Sequence, residues 1–170
     1  MKKTRDLTTC ALLCALSMAF MLLGSVLDVL DLSAVMLASV MSLFIYVEFG
    51  GRYAWTAYAV TGILALLLLP SKAVAAEYLL FGGFYPICRV YLMRFSRWLS
   101  LLLRLAIFNL SFTVITLLLN YLITPTDAPL PLQVLTYAVG NAAFLLYDHA
   151  LSRVGLLWIR YLAPRLKRRK

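Results

Sequence analysis

The sequence predicts an all-α fold, a bundle of six membrane-crossing helices in a single domain spanning residues 1–170. Three observations carry this expectation. First, 64% of the 170 residues are hydrophobic and 14% charged, whereas roughly half of a soluble domain is apolar. With a mean hydropathy of +0.91, the chain carries more apolar surface than a core of its own size can hide, and the surplus should face lipid. Second, apolar runs recur between short, punctuated loops. At about 20 residues per crossing, six crossings use roughly 120 of the 170 residues and leave no room for a separate soluble domain. Third, the basic residues behind the formal charge of +9 fall in alternate loops.

The first crossing is expected at about residues 8–27, after the basic start Met1-Lys2-Lys3-Thr4-Arg5. Such a start can open a signal peptide. This apolar run is too long for one and has no small-residue cleavage site after it, so it reads as a retained helix. A short acidic loop with Asp28 and Asp31 follows. The second crossing, about 32–48, ends at Glu48-Phe49-Gly50-Gly51-Arg52, where two glycines allow a tight turn. The third, about 53–69, is closed by Pro70-Ser71-Lys72. The fourth, about 73–92, contains Gly82, Gly83 and Pro86 and leads to a basic loop with Arg89, Arg94 and Arg97. The fifth covers about 98–122 and ends at the three prolines of 124–131, which no helix tolerates in its interior. The sixth covers about 132–152, and a basic, amphipathic tail completes the chain at 153–170.

Cytoplasmic loops of membrane proteins are enriched in Lys and Arg. One set of loops holds Lys2, Lys3 and Arg5, then Arg52, then Arg89, Arg94 and Arg97, then the tail. The other holds Lys72 beside Asp28, Asp31 and Asp127. The expected location is a cell membrane, crossed several times, with both termini cytoplasmic. The charge reads as orientation and lipid headgroup contact, so no nucleic-acid partner is expected.

Cys10, Cys14 and Cys88 lie in or beside apolar runs and form no Cys-x-x-Cys pair, so they read as packing residues. The lone His149, next to Asp148, has no second histidine to complete a metal site. No triad, phosphate-binding glycine loop or paired-carboxylate motif is visible. The expectation is no catalytic residue, no metal and no cofactor.

A solute site in lipid needs polar groups inside an apolar wall. Glu77 and Tyr78 lie near the outer end of span four, Asn120 near that of span five. Gln133, Tyr137 and Asn141 recur every fourth residue on one face of span six. These six are the candidate substrate-binding residues, expected to share one outward-facing cavity partly lidded by the loop around Asp28 and Asp31. The bland alternatives are Glu77 paired with Lys72, and the amides bridging helices. Arg104 is expected to snorkel to the nearby face or to pair with Glu48 or Asp148. Asn109, deeper, is expected to form an interhelical hydrogen bond.

Span one reads Ala11-Leu-Leu-Cys-Ala15-Leu-Ser-Met-Ala19, three alanines four apart on nearly one face. Small residues let membrane helices approach closely. Together with the basic start, the six expected spans and the length, this pattern resembles the substrate-binding S component of energy-coupling factor transporters, including uncharacterised bacterial members. The segments Phe81-Gly-Gly-Phe-Tyr-Pro-Ile-Cys-Arg89 and Arg104-Leu-Ala-Ile-Phe-Asn109 resemble stretches of the same kind. The resemblance implies that Ala11, Ala15 and Ala19 dock on a membrane coupling subunit served by cytoplasmic ATPases, while the chain binds a small, vitamin-like molecule from outside. The alternative is a non-transporting scaffold resembling the small rod-shape morphogenesis proteins, which needs partner surfaces but no polar pocket.

Overall fold

The computed structural model describes residues 2–27, 30–122, 130–158 and 160. Asp28, Asp127, most of the proline-rich loop and residues 161–170 of the tail lie outside them. Among the described residues every regular element is helical, in the order α1 (Lys2–Val26), α2 (Asp31–Phe49), α3 (Gly51–Leu68), α4 (Lys72–Glu77), a π-helical turn (Tyr78–Gly82), α5 (Tyr85–Leu92), α6 (Arg97–Leu122) and α7 (Leu130–Leu157). Three of these helices, over Thr4–Val26, Asp31–Phe49 and Arg97–Tyr121, are long and apolar enough to cross a membrane.

The helices start and stop where the local chemistry allows. Gly50 joins α2 to α3 with φ of 93°, a left-handed conformation that costs a side chain more than it costs glycine. At the far end of α3, Lys72 Nζ donates to the carbonyls of Leu66 (2.7 Å) and Leu69 (3.0 Å). A cation there satisfies carbonyls that the helix leaves without partners and complements the negative end of its dipole. Pro86 sits in the first turn of α5, where its missing N–H costs no intrahelical bond.

The expected fourth span is thus one irregular rod and not a uniform helix. After α4 the backbone widens, and the Gly83 N–H bonds the Tyr78 carbonyl at 2.7 Å. Gly83 and Phe84 keep right-handed helical dihedrals, so the rod continues into α5. Gly82 permits this rod to lie against α2, because a Cβ at Gly82 would overlap the Val35 side chain.

Helix α2 is the central element and touches α1, α3, α4, the π turn, α5 and α7. Its buried face is built largely from small residues, Ala34, Ala38, Ser39 and Ser42 among them, which is how helices come close when lipid supplies no hydrophobic drive between them. One core joins α1 to α4 through Met18, Met21, Val35, Ala65, Leu69 and Tyr78. A second joins α2 and the π turn to α5, α6 and α7 through aromatic rings: Phe81 lies 4.9 Å from Tyr85, and Phe108 stacks on Phe144 at 4.6 Å. Ser39 Oγ and the Tyr147 hydroxyl share a buried hydrogen bond that ties α2 to α7.

Candidate functional site

Helices α6 and α7 hold each other through polar side chains on facing stripes. The amides of Asn109 and Asn141 bond reciprocally, Nδ2 to Oδ1 at 2.9 and 3.1 Å. One turn further along, the Thr113 and Tyr137 hydroxyls lie 2.9 Å apart. Beyond them the two helices enclose a cleft of about 360 Å³, at the small end of the range of ligand pockets. Asn120, Gln133 and Tyr137 line it together with Thr113, Thr116 and Thr136. Phe112 adds an apolar wall, its ring edge-on to Tyr137 at 5.0 Å and 86°. Among the described residues no charged side chain lines the cleft.

Three of the six residues expected to bind a solute therefore meet. Asn141 does not line the cleft; it stands one turn along α7 from Tyr137 and pairs with Asn109, the interhelical bond expected of Asn109. Glu77 and Tyr78 do not line this cleft. Tyr78 turns into the core against α2, 1% exposed, with its hydroxyl 3.3 Å from Ser42 Oγ. Its position just inside the widened turn directs the ring there. Glu77 is half-buried, with Oε2 enclosed and without a hydrogen-bond partner. The Lys72–Glu77 pairing is not formed, because Lys72 caps α3. Asp31, expected in a lid, is the first residue of α2.

Ala11, Ala15 and Ala19 are all exposed on α1. Ala11 and Ala15 border an apolar groove of about 620 Å³ between α1 and α3, with Met18, Ala57 and Val60 on its walls. Cys10 is buried there and Cys14 half-buried, both as free thiols.

The strongest polar constellation lies at the other end of the bundle. Asp148, 8% exposed, accepts from the Tyr85 hydroxyl and Arg89 Nε at 2.6 Å each on Oδ1, and from Arg104 Nη1 at 2.5 Å on Oδ2. Arg89 Nη2 also donates to Ser152 Oγ. One carboxylate thereby joins α5, α6 and α7. Arg89, grouped with the basic loop from the sequence, is 5% exposed inside α5. Arg104 does not snorkel, because Asp148 comes within reach of its guanidinium. The signal in the sequence is an opposite charge at matching depth in two spans; it points to the Arg104–Asp148 pair and leaves Arg89 in the loop. His149 stays outside the cluster, on the exposed face of α7 beside Arg153. Among the described residues no group of three His, Cys, Asp or Glu side chains could hold a metal ion. No protein-family model, curated protein or solved structure matches the chain.

Proposed function

We propose that the chain is the membrane-embedded solute-binding subunit of an ATP-driven uptake transporter for a vitamin-like micronutrient. The observation that carries this reading is the cleft between α6 and α7, where Asn120, Gln133 and Tyr137 converge. Amides and hydroxyls on an otherwise apolar wall suit selective capture of a small molecule. The exposed Ala11, Ala15 and Ala19 face supports docking on a coupling subunit, as in the energy-coupling factor transporters that the sequence resembles. A scaffold would use that face equally well but has no need of the cleft.

In this reading the chain crosses the cell membrane six times, with the α4–α5 rod as the fourth crossing. Besides the three long apolar helices, α3 with 18 residues and α7 with 28 reach about 27 and 42 Å at 1.5 Å per residue, and a hydrocarbon core is about 30 Å thick. Reporter fusions at residues 127 and 170 are expected on opposite sides of the membrane. The same side for both would overturn the six-crossing arrangement.

The functional test is purification from the native membrane followed by mass spectrometry of the bound small molecule. Gln133→Leu should then weaken binding of that molecule about tenfold, the worth of about one hydrogen bond left unmade in a desolvated site. Unchanged affinity in Gln133→Leu and in Asn120→Leu would place the solute elsewhere.

A further inference from the structure

Two guanidiniums meet one carboxylate in the Arg89–Asp148–Arg104 cluster. Asp148 is the one carboxylate within ion-pair distance of either among the described residues, so the cluster keeps one net positive charge. A surplus charge inside an apolar bundle is costly unless an anion accompanies it. The donors for such an anion are present. A guanidinium has five N–H groups, yet the bonds of Arg89 use only Nε and Nη2, and those of Arg104 only Nε and Nη1. Arg89 Nη1 and Arg104 Nη2 have no protein acceptor among the described residues.

A second observation points to the same ligand. Ser100 is 3% exposed, and its Oγ has no hydrogen-bond partner. Its carbonyl accepts from Arg104 Nε at 3.1 Å, so this unused hydroxyl belongs to the residue against which Arg104 folds. Buried hydroxyls are nearly always paired, and Arg side chains with a hydroxyl suit phosphate oxygens. The depth fits as well. Arg104 stands about 10 Å along α6 from Arg97 at 1.5 Å per residue, and Arg89 is in the last turn of α5. Both are near the helix ends, where headgroups meet the hydrocarbon.

We infer that Arg89, Arg104 and Ser100 form a binding site for an anionic phosphate group. The phosphate comes either from a lipid headgroup or from a soluble phosphate. This site is separate from the α6–α7 cleft and does not depend on what the cleft binds.

The test is thermal unfolding of the full chain in maltoside detergent micelles, which carry no phosphate. One arm adds phosphatidylglycerol, against an uncharged, phosphate-free glycolipid. The other adds inorganic phosphate, against chloride at equal ionic strength. Occupation should raise the unfolding temperature by about 5 °C in the arm that supplies the ligand. Arg104→Gln and Ser100→Ala should lose that rise. Arg97→Gln, which changes an exposed cation, should keep it. Ser100→Ala removes one oxygen and leaves the ion pairs intact, so the test stands even if Arg104→Gln does not fold. A rise in phosphatidylglycerol alone identifies a lipid headgroup, and a rise with inorganic phosphate identifies a soluble source. No rise in either arm, or an equal rise in Ser100→Ala and Arg104→Gln, would overturn the site.

Discussion

Asp148→Ala should destabilise the protein by about 3–5 kcal/mol, the usual cost of removing one partner from a buried ion pair. The carboxylate takes the Tyr85 hydroxyl and both guanidiniums. Without it, two positive charges face each other inside the bundle and three elements lose their common anchor. The loss would be read from unfolding of the detergent-solubilised protein. Asp148→Asn keeps one acceptor oxygen and should fall between the two. Replacing Arg104 by Leu in the Asp148→Ala background should restore part of the stability, because it deletes one stranded charge; this non-additivity is the signature of coupled groups. Stability unchanged in Asp148→Ala would show that the cluster bears no load.

Ala15→Leu should weaken association with a coupling subunit about 100-fold, or about 2.7 kcal/mol, while leaving unfolding and solute binding unchanged. Ala15 is exposed on α1 and borders the groove against α3. Leucine is a good helix former, so the substitution should not disturb α1 itself. Its branched side chain would hold a partner helix away from a surface that alanines otherwise keep flat, and close approach is the main source of helix association in lipid. The comparison to make is co-purification of the coupling subunit and ATPases with wild-type, Ala15→Gly and Ala15→Leu proteins. Ala15→Gly should retain the partners. Equal recovery with Ala15→Leu would move the docking face off this helix, and failure of this prediction alone would leave the solute cleft standing.

The helical class, and roughly where the long helices lie, can be read from the amino-acid sequence, because both depend on local quantities: run length, apolar content and helix breakers. The ends are less legible, and α7 runs on to Leu157, into the stretch read as tail. The glycine turn at Gly50 and the helix over Arg97–Leu122 were legible in this way. So was the tendency of Gln133 and Tyr137 to share a face, which follows from helical period alone. Gly82, Gly83 and Pro86 marked the irregular stretch but did not say that it would widen into a π turn.

Which side chains meet is settled by the packing of the helices in three dimensions. That packing sent Tyr78 inward to Ser42, and left Glu77 outside the cleft that Asn120 and Gln133 share. It also brought Arg89 and Arg104 to Asp148 from 59 and 44 positions away in the chain. The physical reason lies in the solvent. In water, the apolar stripe of a helix shows which way it faces. In a chain whose helices are apolar on every side, that stripe fades, because lipid and core accept the same residues. Each helix can then be turned about its axis with little change in pattern. Close approach at small residues such as Ala38 and Gly82, and the pairing of the few polar groups, select the rotation.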